Sequence, residues 1–164
     1  MEQEALQKKV EEAILDSYEA LYRLAFSYVH KEEDALDIVQ ESVYKAMKNA
    51  ASLRQEAYIG TWLWRITINT AIDFIRKNHR EVAVEEFYEA GREDQYRDID
   101  TIEALEVLDE REKAVVVLRF FEDRKIQEVA EILGENTNTV KTILYRSLKK
   151  LKVELMEGET CYAG

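Results

Sequence analysis

Apolar residues recur along most of this chain at three- and four-residue spacings, with charged residues between them, and that period belongs to helices. From about residue 7 to His30, Ile14, Leu15, Tyr18, Leu21, Tyr22, Leu24, Ala25 and Tyr28 make one apolar face. A second helix is expected from Glu32–Asp34, whose carboxylates suit a helix N-terminus, to about Ala50. Its Leu36, Val39, Val43 and Met47 point inward, while Asp34, Asp37 and Glu41 surround an outward-facing Ile38. A third helix spans Ile59 to His79. The period fades between Arg80 and Asp100, where acidic residues dominate and aliphatics are few. That stretch reads as a linker without structure of its own; the other reading is a short solvated helix around Val84–Ala90.

The period returns at Thr101, with helices expected near 101–107, 110–121, 125–133 and 137–155. Asp109 is placed to cap the helix bearing Val115, Val116, Leu118 and Phe121. Ile126, Val129, Ala130 and Leu133 share a face of the next helix, and Gly134 is its stop. Asn136 or Thr137 can cap the last helix. Helix, tight turn, helix is the outline of a helix-turn-helix. The predicted fold is all-α: two small helical domains, 1–80 and 101–164, joined by a flexible acidic linker at 81–100. Five Gly and no Pro agree with helices rather than a turn-rich β fold.

Charge changes the picture at the last helix. The chain carries a net charge of −11, yet residues 136–153 hold Lys141, Arg146, Lys149, Lys150 and Lys152 and no Asp or Glu. On a wheel at about 100° per residue, Val140, Leu144, Leu148 and Leu151 face the core. Lys141, Thr142, Tyr145, Lys149 and Lys152 lie opposite, with Arg146 at the edge and Ile143 bordering the core. Lysines that merely balance a helix C-terminus would account for Lys149–Lys152, but not for Lys141, Tyr145 and Arg146. A basic face that starts at a helix N-terminus points to DNA. Even five phosphate contacts would give a salt slope of only about −4.5, at about −0.9 each. An acidic body with so few contacts needs another agent to bring it to DNA.

The third helix has two apolar sides, one of Ile59, Trp62, Leu63, Ile66 and Thr70, the other of Trp64, Ile68, Ala71 and Ile75. Between them Arg65, Asn69, Asp73, Arg76 and Arg80 form a polar band roughly 80° wide. The band fits an edge shown to nucleic acid, Arg for phosphate or guanine and Asn for an adenine edge or an unstacked base. It fits equally a solvated face with an Asp73–Arg76 ion pair. The acidic outer face of the second helix is likewise open between a protein-docking patch and ordinary surface. His30 and His79 are isolated, so no metal or other cofactor is expected, and the single Cys161 permits no internal disulfide, in keeping with a reducing cytoplasm. No apolar run reaches the roughly 18–20 residues of a membrane span, and MEQEALQKKVEE does not read as a signal peptide.

The segments YRLAFSYVHKEEDALDIVQESVYKAM, TWLWRITINTAIDFIRK, LDEREKAVVVLRFFED and IQEVAEILGENTNTVKTILYRSLKKLK occur in that order over most of residues 18–152. Together they resemble the extracytoplasmic-function sigma factors, small two-domain specificity subunits of bacterial RNA polymerase. The resemblance implies that Asp34, Asp37, Ile38, Gln40 and Glu41 belong to the polymerase-binding helix. It implies that Trp62, Trp64, Arg65, Asn69, Asp73, Arg76 and Lys77 open the promoter and read its −10 strand, with Leu53 and Arg54 in a loop that helps to pocket a flipped base. Thr139, Lys141, Thr142, Tyr145, Arg146 and Lys149 would face the −35 major groove. Implied partners are core RNA polymerase, promoter DNA and an anti-sigma factor, often membrane-anchored, with the sigma factor itself cytoplasmic and not inserted in the membrane. Leu53 stands where relatives often carry an aromatic, and Ile143 where they often carry a basic residue. The competing reading is a helix-turn-helix regulator that binds duplex without polymerase, but residues 7–79 offer neither βα alternation nor a phosphoacceptor pocket. An enzyme is not expected, since no Gly-rich phosphate loop or nucleophile with a base is present.

Overall fold

The computed structural model describes residues 2–82 and 104–163, with side chains over 3–78 and 104–152. The expected acidic linker lies almost wholly outside the described residues, as does the start of the helix expected at 101–107; only the 3-10 turn Leu105–Val107 is described there. The helices are α1 (Glu2–Val29), α2 (Glu32–Lys48), α3 (Ile59–Val82), α4 (Glu110–Val116), α5 (Ile126–Leu133) and α6 (Thr137–Ala163). Short 3-10 turns at Ala50–Ser52 and Glu56–Tyr58 lead from α2 into α3. No strand occurs among the described residues.

The helix ends obey local chemistry. Asp109 caps α4, its carboxylate accepting from Glu112 N at 2.8 Å while Glu112 Oε1 accepts from Asp109 N at 2.9 Å. Gly134 ends α5 in the left-handed region at φ 71°. Asn136, rather than Thr137, caps α6: its Oδ1 accepts from Thr139 N at 2.8 Å. His30, at φ 56°, ends α1.

Helices α1, α2 and α3 pack on one another, and two apolar clusters form around α3. One holds Val10, Ile14, Ala46, Ala50, Ile59 and Leu63, with Trp62 and Ile66 against it. The other takes Trp64, Ile68 and Ala71 from α3, Leu21, Leu24, Ile38 and Val39 from α1 and α2, and Leu105, Val115, Leu118, Val129 and Val140 from the C-terminal half. The two apolar sides of α3 thus serve two clusters, and the second cluster joins the halves of the molecule. Each fully buried Leu or Ile contributes about 1.5–3 kcal/mol relative to exposure.

Several expected positions change place. Ile38 is fully buried and Leu36 is 37% exposed, the reverse of the expectation. Helix α2 packs on both α1 and α3, so its inward face is the broad set Ala35, Ile38, Val39, Ser42 and Ala46. On α1, Leu15 is 75% exposed and Tyr18 is also at the surface. On α6, Ile143 and Ser147 are buried and Leu148 lies at the boundary. The helix expected at 110–121 widens after Val116 into a π turn, Val117–Phe121, in which Glu122 N donates to Val117 O at 3.0 Å. The extra residue in that turn rotates the end of the helix about its axis, and Phe121 emerges at the surface beside Phe120 while Val115, Val116 and Leu118 are buried.

Candidate nucleic-acid interface

Three surfaces carry the expected chemistry. On α6, Lys141, Thr142, Tyr145, Arg146, Lys149 and Lys152 are exposed, and Thr139 is half-buried in the first turn. Tyr145 is 67% exposed, so this aromatic is a surface group and not part of the core. Thr142 Oγ1 donates to Asn138 O at 3.0 Å, which leaves its lone pairs for an outside donor. Arg146 and Lys150 have an inward partner that the wheel could not show. The fully buried Glu112 accepts from Arg146 Nε at 2.7 Å and from Lys150 Nζ at 2.8 Å. Burial raises the Glu112 carboxyl, but Lys150, the Asp109 amide and Arg146 outweigh it and hold it below its usual value. The spacing Asp109-x-x-Glu112, a capping-box pattern, was the available signal for Glu112.

On α2, Asp37, Gln40 and Glu41 are exposed and Asp34 is half-buried. Partial burial raises the Asp34 carboxyl; Lys31 opposes the rise and Asp37 and Glu33 add to it. The apolar members of this face are Leu36 and Tyr44, not Ile38. An acidic rim around an exposed leucine is suited to a basic protein surface.

On α3, Arg65, Asn69, Asp73, Arg76 and Lys77 are exposed along one edge; the side chain of Arg80 lies outside the described residues. Arg65 is already engaged, with Nε donating to Ile132 O at 2.9 Å and Nη2 to Glu131 O at 2.5 Å. Both carbonyls belong to the last turn of α5, where a helix C-terminus attracts a cation. Arg76 Nη2 pairs with Glu110 Oε1 at 2.8 Å, rather than with Asp73 as in the solvated-face reading. Trp64 is only 4% exposed and lies under Arg124, whose guanidinium carbon is 5.5 Å from the ring centroid. Trp62 is half-buried, Leu53 packs partly against the first cluster, and Arg54 is exposed.

The seam is completed by Arg23, whose Nη2 lies 2.8 Å from Glu122 Oε1, and by Tyr28, whose hydroxyl donates to Glu110 O at 2.9 Å. Burial keeps the Tyr28 phenol protonated far above neutral pH. Glu110, Glu122 and Arg124 are seam residues that no local pattern marks, because each is matched across a distance in sequence. Among the described residues no group of three or more His, Cys, Asp or Glu is disposed to hold a metal. No described helix is long and apolar enough to cross a membrane.

The described residues form a helical bundle with an acidic face, followed by a helix-turn-helix with a basic outer face. Residues 14–81 match the family Sigma-70 region 2, and residues 100–151 match Sigma-70, region 4. The chain is 49% identical over 150 residues to RNA polymerase sigma factor SigV of Bacillus subtilis, covering 89% of this chain and 90% of that protein. It is 30% identical over 151 residues to the RNA polymerase sigma-E factor of Streptomyces coelicolor, covering 89% and 85%. The sigma factor RpoE of Bartonella quintana, solved in complex with the anti-sigma factor NepR, superposes with a TM-score of 0.74 at 25% identity, over 89% of this chain and 96% of that one. CnrH, solved with the cytosolic domain of CnrY, has the same fold, with a TM-score of 0.71 at 22% identity over 93% and 98% of the two chains. The chain belongs to the sigma-70 family of RNA polymerase sigma factors, in its extracytoplasmic-function group. That family is not one of catalytic enzymes.

Proposed function

We propose that this sigma factor, itself without catalytic activity, recruits core RNA polymerase through α2, reads the upstream promoter duplex through α6 and handles the separated −10 strand through α3. The observation that carries the reading is the exposed face of Lys141, Thr142, Tyr145, Arg146 and Lys149 on a capped helix with no acidic residue over 136–153. Asp34, Asp37, Gln40 and Glu41, with Leu36 in place of Ile38, form the polymerase surface. Leu53, Arg54, Trp62, Trp64, Arg65, Asn69, Asp73, Arg76 and Lys77 form the strand surface. Trp64 and Arg65 become available to a strand only when the two halves part, so polymerase binding has to open the seam. The working boundaries are 1–80 for the polymerase and −10 unit, 81–100 for the linker and 101–164 for the −35 unit.

The net charge of −11 keeps affinity for free duplex low, so delivery by polymerase supplies what the charge withholds. The protein acts in the cytoplasm and is held inactive by an anti-sigma factor, a reading supported by the similarity to RpoE, solved in complex with the anti-sigma factor NepR. The test is reconstitution with purified core polymerase on genomic fragments. Promoter-specific initiation is expected; Lys141→Ala with Arg146→Ala weakens initiation that depends on the upstream element while polymerase binding persists, and Asp37→Arg abolishes polymerase binding. No initiation on any fragment, or tight operator binding in a gel shift without polymerase, sinks this reading.

A further inference from the structure

Arg146 and Lys150 stand one turn apart on α6 and converge on a single carboxylate. Glu112 is fully sealed from solvent, whereas the Arg146 and Lys150 side chains are 51% and 42% exposed. The cations therefore run from a buried anchor out to the surface that would meet DNA. All three contacts to Glu112 are short: Arg146 Nε at 2.7 Å, Lys150 Nζ at 2.8 Å and Asp109 N at 2.9 Å. Arg146 is held by Nε, and among the described residues neither of its terminal amino groups has an acceptor.

We propose that Glu112 is a positioning residue for promoter recognition: it fixes the Arg146 guanidinium by Nε so that its two terminal amino groups are presented as a preset fork to a DNA acceptor. The proposal rests on the assignment of α6 to the upstream duplex. A long flexible side chain that is ordered before binding loses less freedom when it binds. A planar fork held in one orientation suits paired acceptors such as guanine O6 and N7. Lys150, held on the other oxygen, is left as a point charge beside the backbone.

The sign of the effect separates this from two simpler roles. If Glu112 acted only as a negative charge close to DNA, its removal would tighten binding at every sequence. If it only supported α4, its removal would lower stability and leave base preference as it was. A positioning role predicts lost discrimination at the base pairs that Arg146 reads.

Glu112→Gln is the informative variant, because Gln keeps an oxygen for Asp109 N and nearly the same shape but cannot anchor both cations. Full-length protein with core polymerase would be assayed on a promoter mapped by start-site sequencing, with every single base-pair substitution across the upstream element. Circular dichroism and melting curves confirm that each variant is folded. Glu112→Gln is expected to cut discrimination about tenfold at one or two adjacent base pairs, the scale of one bidentate contact. Arg146→Ala should flatten the same positions, and Glu112→Gln added to Arg146→Ala should do nothing further there. An unchanged substitution profile in a destabilised Glu112→Gln, or uniformly tighter binding, overturns the positioning role and leaves the assignment of α6 intact. An Arg146→Ala variant that keeps full discrimination overturns both.

Discussion

A carboxylate enclosed between two cations and a backbone amide releases its proton easily, and Glu112 is such a group. Its value in the fold is below the ordinary one near 4.5, so its contribution is complete above that value and disappears as pH falls through the folded one. Glu112→Gln should therefore cost about 1–2 kcal/mol at neutral pH, given half-exposed partners, and progressively less as the pH is taken below the ordinary carboxylate value. Urea midpoints of the two proteins at neutral pH and below that carboxylate value measure the difference; many other acids titrate here, but they cancel in the comparison. An equal gap at both values would show that Glu112 contributes only shape. Ile38 and Leu36 provide a second test at this scale. Ile38→Ala should lose about 2–5 kcal/mol in thermal or urea unfolding, as a fully buried side chain does. Leu36→Ala should stay within about 0.5 kcal/mol of wild type yet weaken binding to core polymerase. The two exchange places relative to a single inward face because α2 packs against both α1 and α3.

At the scale of elements, the start of α6 is fixed by two residues that can be altered separately. Gly134 stands at φ 71° with open space where a Cβ would sit, so Gly134→Ala introduces strain without a clash, about 1–2 kcal/mol. Asn136→Ala removes the cap on Thr139 N and costs about 1 kcal/mol. Hydrogen exchange should show the Asn136 variant fraying in the first turn of α6, and initiation from promoters that need the upstream element should fall with it. Unchanged exchange at Thr139 would mean that the cap is dispensable. These signals were legible in the sequence because caps and stops are local: Asp109, Gly134 and Asn136 act within one turn. The π turn at Val117–Phe121 was not, since nothing in VLRFF distinguishes it from an α-helical turn. Its consequence, the exposed Phe121, was lost with it. The three surfaces were legible as charge and spacing, whereas the neighbours of Arg65, Arg76 and Arg146 came from elements 34 or more residues away.

At the scale of the molecule, the halves are joined by apolar burial more than by charge. Exposed pairs such as Arg76–Glu110 contribute about 0–1 kcal/mol each, while Trp64, Ile68 and Ala71 share one buried cluster with Leu105, Val115 and Leu118. Salt alone should therefore leave the seam closed, although it screens its ion pairs. A binding partner that gains contact with both halves can open it, because its own buried area replaces what the seam loses. A closed seam also places α3, the helix proposed to meet the strand, against α5, with Trp64 covered and Arg65 bonded to two carbonyls. Initiation and closure are then incompatible, and a tether across the seam tests this. In a Cys161→Ser background, Arg23→Cys with Glu122→Cys would be joined by a short bis-maleimide across a position that an ion pair now spans. The uncoupled double variant should initiate close to normally, since both partners of the pair are removed together and neither charge is left unmatched. The coupled protein should keep its helical content and lose initiation by at least about tenfold, because the seam would cost binding energy it can no longer release. Equal initiation before and after coupling would mean that α3 reaches the strand with the halves still joined, and Trp64 and Arg65 would then have no part in strand contact.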